Sequence, residues 1–258
     1  MRALDERMTV RFGSGVRPWL DGLPALLADL TARWGLTVVR DLPGGNTSHT
    51  VLCTTADGAP AVLKVTPEPP IAAQESAALG AWADSPAVVD VLAEDLPAGV
   101  LLLEGLVPGT SAQDGPELPV LLAELGRVRV VDGFPPLAAG VERMFGLLAR
   151  RRPGDYAASV GAASALAADR VPVRLLHGDL HLGNVLRSDR GLVAIDPRAT
   201  VGDPAFDAVD FAYAGPDLDA RVEWLSSVVD GDRLAAWCAA LAPFFPDHPA
   251  VAAGRLSG

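Results

Sequence analysis

Residues 175–197 carry an ordered set of polar side chains between short apolar runs, and they restrict the possible folds more than any other segment. An apolar run leads into His177 and Asp179, Asn184 follows five residues after Asp179, and Asp196 follows two more apolar runs. A tight turn between those two runs should fold them into a hairpin, which would bring Asn184 close to Asp196. Mg²⁺ prefers oxygen ligands and binds through few protein groups plus phosphates. We therefore predict that the side chains of Asp179, Asn184 and Asp196 converge and offer oxygen ligands that suit Mg²⁺.

Two other interpretations of this segment are weaker. His177 and His181 have the spacing of a zinc-binding pair on a helix. Gly178 and Gly183 make a helix improbable there, and no third nitrogen or sulfur ligand is evident, although a zinc site needs at least three protein ligands. A polar turn that caps a helix would account for one Asp or Asn. It would not account for the whole ordered set.

The chain is acidic, with 32 Asp and Glu residues against 21 Lys and Arg and a net charge of -11. Long-range repulsion disfavours a nucleic acid or an anionic membrane as partner, whereas a cationic small molecule would be attracted. The same acidity could simply aid solubility. Cys53 and Cys238 fit neither a metal-binding nor a disulfide spacing, which predicts two reduced thiols. Nothing in the sequence indicates an obligate protein partner.

Hydropathy predicts a soluble protein with a full core. Half of the residues are hydrophobic, yet charges, glycines or prolines interrupt every apolar run well short of a membrane span. The first residues contain no apolar signal core, so we expect a cytoplasmic location. A chain of 258 residues can form one large domain or two lobes.

Hydrophobic periodicity separates a strand-rich first part from a helical second part, which predicts an α+β fold. We expect a first lobe at 1–106, a linker rich in turn formers at 107–116, and a second lobe at 117–258. In the first lobe the predicted elements are a helix at 18–34, strands at 36–42, 49–55 and 61–65, a helix at 71–83, and strands at 88–93 and 100–106. The second lobe should contain helices on both sides of a non-helical block at 174–201.

The polar motif resembles a known family. The order His-x-Asp-x-x-x-x-Asn followed by Asp resembles the catalytic loop and metal-binding Asp of protein kinases. Combined with the later Gly202-Asp203-Pro204, it is similar to the aminoglycoside phosphotransferase family, and the Ile195-Asp196 form is most similar to streptomycin 6-phosphotransferases and hydroxyurea-type resistance kinases. The resemblance implies a protein-kinase-like, two-lobed fold that uses ATP and Mg²⁺ to phosphorylate a small molecule. The motif is specific for the family and much less so for the substrate.

Lys64 offers an independent test, because it is the single lysine among the 21 basic residues. Strand alternation places Lys64 and Val62 on one face of a largely apolar strand, where a charge is costly unless it is paired. Glu75 lies on the apolar stripe of the following helix and could supply the partner. The resemblance implies that this pair holds the α- and β-phosphates of ATP. A solvated lysine with a glutamate at the helix edge is the alternative.

Two further segments of the first lobe are candidates for contact with the nucleotide. Gly45 and Ser48 lie between two strands and could present N–H groups and a hydroxyl to phosphates. The segment matches neither common phosphate-binding fingerprint, and a plain hairpin turn would look alike. By resemblance, backbone groups from Glu104 to Leu106 would bind adenine, although a buried edge strand would have the same sequence.

The predicted activity is direct transfer of the γ-phosphoryl group of ATP to a hydroxyl of a small cationic molecule, foremost an aminoglycoside such as streptomycin. In the catalytic set that the resemblance implies, Asp179 orients or deprotonates the hydroxyl, Asn184 and Asp196 hold Mg²⁺, and His177 braces the loop. We expect Asp179 and Asp203 to offer carboxylates to the substrate. Asp207 and Asp210 are predicted to be structural, as helix caps or braces of the catalytic loop.

Two alternatives remain open from the sequence. A housekeeping kinase of a sugar, amino alcohol or other metabolite would use the same machinery. A catalytically inactive nucleotide-binding module would predict loss of a key polar residue, yet Lys64, Glu75, Asp179, Asn184 and Asp196 are all present.

Overall fold

The computed structural model describes residues 2–43, 47–128 and 132–254. The chain folds into two compact units. The first comprises Met1–Ala83 and Val89–Gly109, and the second comprises Asp84–Val88 and Thr110–Gly258. No helix within the described ranges is long and apolar enough to cross a membrane.

The first unit is built on a five-stranded antiparallel sheet. Its strands are β1 (Thr37–Asp41), β2 (His49–Thr54), β3 (Pro60–Val65), β4 (Val91–Asp95) and β5 (Val100–Glu104). Their order in the sheet is β1-β2-β3-β5-β4. Its helices are α1 (Arg2–Phe12), α2 (Arg17–Trp34) and α3 (Pro69–Ala81). Buried residues of α1, α2 and the sheet form one core, which includes Met8, Leu30 and Leu63.

The sequence pattern explains why β3 carries Lys64. Ala61, Leu63 and Val65 are buried on one face, while Val62 and Lys64 are half-buried on the other. This is the two-residue alternation predicted for a strand of a half-buried sheet. Lys64 therefore stands on the face opposite the main core.

Three features of this region differ from the sequence prediction. Helix α1 was not predicted, and the strand expected to start at residue 88 begins at Val91. The segment predicted to be a linker contains a short strand, β6 (Pro108–Ser111). Turn-forming residues favour a linker at this position, but a short strand tolerates them.

The second unit is mainly helical. Its helices are α4 (Leu118–Leu125), α5 (Leu137–Arg151), α6 (Ala157–Ala168), α7 (Val209–Ala212), α8 (Leu218–Leu225), α9 (Gly231–Leu241) and α10 (Pro249–Ala252). Its strands are β7 (Arg174–Leu176), β8 (Val185–Ser188), β9 (Gly191–Ala194) and β10 (Thr200–Gly202). The predicted hairpin is confirmed, since β8 pairs antiparallel with β9, and β7 pairs with β10.

Candidate active site

The loop that follows β7 is held by a buried carboxylate. The backbone N–H of His177 donates to Asp207 Oδ2 at 2.6 Å, and the N–H of Gly178 donates to Asp207 Oδ1 at 2.9 Å. Gly178 has a φ of 77°, and a Cβ added there would lie 2.4 Å from the carbonyl oxygen of Arg198. Only glycine fits this position. The prediction that Asp207 braces the catalytic loop is therefore confirmed.

His177 is fully buried beneath the same loop. Its Nε2 lies 3.0 Å from the carbonyl oxygen of Ile195, so Nε2 carries the proton and donates. The backbone N–H of Arg198 donates to the carbonyl oxygen of His177 at 2.8 Å. Burial lowers the pKa of His177 to about 4, which keeps the ring neutral at neutral pH. With no exposed surface, His177 positions the loop and does not reach a substrate in this conformation.

Asp179 projects from the loop and is exposed. Asn184 Nδ2 donates to the backbone carbonyl of Asp179 at 2.8 Å and lies 3.5 Å from its Oδ2. The pKa of Asp179 is raised mainly because the surrounding protein displaces water. The negative charge of Asp196 raises this pKa further, whereas the charges of His181 and Arg198 lower it. The backbone at Asp179 is therefore anchored by Asn184, and its carboxylate is accessible from solvent.

Asn184 and Asp196 are brought together by the hairpin, as predicted. The backbone N–H of Ile195 donates to the carbonyl oxygen of Asn184 at 2.9 Å, directly before Asp196. Asp196 has a φ of 59°, a left-handed conformation that is uncommon outside glycine and clusters at functional sites. The backbone at Asp196 is therefore strained, which marks this residue as a candidate functional position.

The donor set fits a magnesium ion. Because Asn184 Nδ2 faces a carbonyl oxygen, its amide orientation is fixed and its Oδ1 remains available as a ligand. Asp196 adds a carboxylate, and phosphates and water would complete the shell. No cluster of three or more His, Cys, Asp or Glu side chains that could hold a metal occurs among the described residues.

Asp203 does not serve the role that the sequence suggested. Its side chain is 4% exposed, and Oδ2 accepts from Arg233 Nε at 2.7 Å and from Trp237 Nε1 at 2.8 Å. Its Oδ1 accepts from the N–H of Ala205 at 3.0 Å and caps the helical turn that carries Asp207. The prediction of a free carboxylate for the substrate is wrong, because a buried charge must be paired inside the protein.

Arg233 and Trp237 are the supporting residues that sequence reasoning missed. Arg233 also donates to the carbonyl oxygen of Leu166 at 2.9 Å and forms an ion pair with Asp169 at 2.5 Å. The two residues lie four apart on α9 and so share one helix face. The four-residue spacing indicates that Arg233 and Trp237 act together, but it does not indicate that Asp203 is their partner.

In the first unit, Lys64 and Glu75 form the predicted ion pair. Lys64 Nζ lies 2.8 Å from Glu75 Oε1 and 2.6 Å from Oε2. Their side chains are 11% and 3% exposed, so both charges are largely removed from water. The pair links β3 to α3. Its contact with the α- and β-phosphates of ATP stays a prediction.

The predicted phosphate loop is only partly described. Gly45 lies outside the described residues. Ser48 is 1% exposed, so its hydroxyl is shielded from solvent. The assignment of both residues to phosphate binding stays a prediction.

The predicted adenine-binding segment has few backbone groups to offer. The N–H of Glu104 donates to the carbonyl oxygen of Asp90 at 2.9 Å, and its carboxylate accepts from the N–H of Asp90 at 2.9 Å. The N–H of Gly105 donates to Pro60 at 3.0 Å. Leu106, which is half-buried, makes no backbone hydrogen bond within the described ranges. If this segment binds adenine, Leu106 supplies the donor.

The second unit contains a cavity of about 370 Å³ beside β7, the strand that leads into the loop of Asp179. Its walls include Leu175, Leu176 and Asp207, but not Asp179, Asn184 or Asp196. The cavity is therefore separate from the carboxylates that would meet a phosphate or an acceptor.

Comparison with known proteins identifies relatives of this chain. The model of the aminoglycoside/hydroxyurea antibiotic resistance kinases matches residues 33–242. The hydroxyurea phosphotransferase of Kitasatospora aureofaciens is 35% identical over 251 residues, which cover 87% of this chain and 72% of that protein. The streptomycin 6-kinase of Streptomyces griseus is 32% identical over 240 residues, which cover 86% and 75%.

A solved structure supports the same fold. The choline kinase LicA of Streptococcus pneumoniae superposes with a TM-score of 0.65 at 16% identity, covering 86% of this chain and 87% of that one. At this identity the likeness concerns the fold alone. The prediction of a protein-kinase-like α+β fold is confirmed.

Proposed function

The chain belongs to the aminoglycoside/hydroxyurea antibiotic resistance kinases and is a small-molecule kinase, and from this premise we propose that it transfers the γ-phosphoryl group of ATP to a hydroxyl of a cationic aminoglycoside such as streptomycin. The observation that carries the proposal is Asp179, an exposed carboxylate on a loop that Asp207 and His177 hold rigidly. Such a group can orient a hydroxyl without forming a covalent intermediate. The use of ATP implies that the enzyme acts in the cytoplasm.

Asp179 would accept a hydrogen bond from the acceptor hydroxyl and take up its proton as the new P–O bond forms. Its raised pKa brings the carboxylate closer to the basicity that proton transfer needs. Phosphoryl transfer depends on positioning and charge neutralisation rather than on a protein nucleophile. A single well-placed carboxylate is therefore sufficient.

Asn184 and Asp196 would hold Mg²⁺, which supplies charge neutralisation at the phosphates when it is bound. Lys64, kept in place by Glu75, would donate to the α- and β-phosphates of ATP. A compact ammonium with three donors suits a point between one carboxylate and a phosphate group. All of these polar groups are intact, which argues against an inactive nucleotide-binding module.

Two observations support a cationic acceptor. The net charge of -11 would attract a polycation and raise its encounter rate. The streptomycin 6-kinase of Streptomyces griseus matches most of the chain. Guanidinium or ammonium groups of such a substrate would form charge-assisted hydrogen bonds with carboxylates beside the loop.

A second candidate acceptor is a small neutral molecule of the hydroxyurea type. The specific observation in its favour is the 35% identity to a hydroxyurea phosphotransferase, which exceeds the 32% identity to the streptomycin kinase. The phosphate-transfer machinery would be the same. Only the groups that contact the acceptor would differ.

A substrate panel tests the proposal. We would measure kcat/KM with MgATP for streptomycin, a deoxystreptamine aminoglycoside, hydroxyurea and a neutral polyol, each at two salt concentrations. We expect a preference for the cationic acceptors that weakens as salt screens the field of the protein. A preference for hydroxyurea or the polyol, or salt-independent rates with the cationic acceptors, would replace the aminoglycoside by a neutral acceptor.

A further inference from the structure

Asp210 lies on the helical turn that braces the catalytic loop. A short 3-10 turn, Pro204–Ala208, continues directly into α7, and Asp207 and Asp210 are three residues apart within this stretch. Side chains three apart on a helical segment share one side. Because the carboxylate of Asp207 bonds the N–H groups of His177 and Gly178, that side faces the loop. Asp210 therefore points towards the part of the loop that carries Asp179.

The electrostatics of the loop place Asp210 near two functional groups. The charges of His181 and Asp179 both act on Asp210, and that of His181 acts on Asp179 as well. His181 Nδ1 accepts from the N–H of Gly183 at 3.0 Å, so its Nε2 bears the ring proton. Asp179, His181 and Asp210 thus surround one region in front of the loop.

Asp210 differs from its neighbours in having no internal partner. Asp203 is bound by Arg233 and Trp237, and the carboxylate of Asp207 is bound by two backbone N–H groups. Asp210 makes no hydrogen bond or ion pair with any residue that the structure describes. Its predicted role as a brace or a cap is therefore not borne out.

Asp210 is exposed, yet the protein around it alters the acidity of its carboxyl group. Its side chain is exposed to solvent, yet nearby protein displaces enough water to raise its pKa to about 6, against opposition from His181. An exposed carboxylate without an internal hydrogen bond or ion pair among the described residues keeps its acceptor oxygens available for a ligand from solution.

We propose that Asp210 binds a cationic group, ammonium or guanidinium, of the acceptor substrate and thereby places the acceptor hydroxyl at Asp179. This inference rests on the proposed function, since it presumes a cationic acceptor. Asp179 remains the group that meets the hydroxyl, and Asp196 remains with the metal. Asp210 then supplies the negative charge that distinguishes a cationic acceptor from a neutral one of similar size.

The test compares wild type with Asp210→Asn, which removes the charge and keeps the size. The KM for streptomycin should rise about 10- to 100-fold, the range expected for loss of one hydrogen bond to a charged group. The KM for ATP and the melting temperature should stay near wild type. Calorimetric affinity for streptomycin should fall by a similar factor, and Asp210→Glu should restore a large part of it.

Asp219→Asn is the matched control, because Asp219 is an exposed carboxylate of the second unit and its loss changes the net charge equally. It should leave all constants within about twofold, as is usual for surface substitutions. If Asp210→Asn leaves the KM and the calorimetric affinity for streptomycin unchanged while wild type phosphorylates it, this inference is overturned and the proposed function stands. If wild type accepts only neutral substrates, the proposed function itself is wrong and Asp210 loses this role with it.

Discussion

Lys64 is the residue whose chemistry can be tested most simply. It is the single lysine in a chain with 20 arginines, and its ammonium lies 2.8 and 2.6 Å from the two oxygens of Glu75. Lys64→Arg keeps the charge, but the larger planar guanidinium cannot occupy the same point. We expect kcat/KM for ATP to fall roughly tenfold or more, on the scale of one disturbed charge-assisted contact.

Arg187→Lys is the control for that substitution, because Arg187 pairs with Glu117 on an exposed surface. An exposed ion pair contributes little, so its exchange should leave ATP kinetics unchanged. Steady-state kinetics over a range of ATP concentrations would reveal both effects. Wild-type constants for Lys64→Arg would refute a role of the pair in holding phosphates.

Asp196 allows a separate test of the metal site. Asp196→Ala removes one of the two protein ligands proposed for Mg²⁺. ATP affinity should therefore fall by about tenfold in the presence of Mg²⁺. This is the scale seen when a residue that supports a metal site is lost. Without Mg²⁺ the affinity of the variant should match that of wild type. An equal loss of calorimetric ATP affinity with and without Mg²⁺ would show that Asp196 does not act through the metal.

His177 should make stability depend on pH. Its pKa is about 4 in the folded protein and ordinarily 6.5, so the unfolded chain binds the proton more tightly. The contribution of the neutral buried ring is complete above about pH 6.5 and is lost as the pH falls towards 4. Between pH 7 and 4.5 wild type should lose roughly 2–3 kcal/mol of unfolding free energy from this source.

The variant His177→Gln isolates this effect, because glutamine does not titrate and can still donate to Ile195. Asp207 acts in the opposite direction, since burial raises its pKa to about 6 and its protonation stabilises the fold as the pH falls. That carboxyl is present in both proteins, so the difference between their pH profiles reports His177. Parallel urea-unfolding profiles from pH 7 to 4.5 would contradict the prediction.

At the scale of elements, the stretch from Asp203 to α7 connects the helical core to the catalytic loop. Arg233 and Trp237 fix Asp203, Asp203 caps the turn, and Asp207 at its end holds two backbone N–H groups of the loop. Each step is a buried or partly buried hydrogen bond or ion pair. The loop that carries Asp179 is therefore connected to residues of α9.

Asp207→Asn tests this connection. Asparagine offers one carbonyl oxygen and one NH₂ group where two N–H donors now meet two oxygens, so one buried donor would lose its acceptor. Such a loss costs about 1–3 kcal/mol and should displace the loop, lowering kcat as well as the unfolding free energy. Asp230→Asn is a fitting control, because Asp230 caps α9 and asparagine caps a helix equally well. Equal kcat in wild type and Asp207→Asn would rule out the positioning role.

The sequence predicted those elements and contacts that short-range patterns determine. Strand alternation placed Lys64 opposite the core, and the hairpin that joins Asn184 to Asp196 followed from apolar runs around a turn. Helix α1 was missed because few of its residues, among them Leu4 and Met8, are buried, which leaves almost no periodic signal. Asp203 was misassigned because its partner Arg233 lies 30 residues further along the chain. A local pattern cannot distinguish a buried, paired carboxylate from one that faces a ligand.

At the scale of the whole molecule, the acidic charge and the family membership bear on different questions. Membership in the resistance-kinase family fixes the reaction class, whereas the charge of -11 would facilitate the approach of the proposed cationic acceptor. The groups proposed to bind the nucleotide lie in the first unit, and the proposed metal and acceptor groups lie in the second. Nucleotide affinity and acceptor affinity can be measured separately.

The most direct test of the central claim is the rate of streptomycin-dependent ADP formation at saturating MgATP, measured for wild type and for Asp179→Asn. The variant keeps the size of the side chain and removes the group that orients and deprotonates the hydroxyl. We predict turnover by wild type and a loss of about 100-fold or more in the variant, the scale of a missing general base, with ATP affinity within about twofold. Equal rates in the two proteins would show that Asp179 does not carry the reaction.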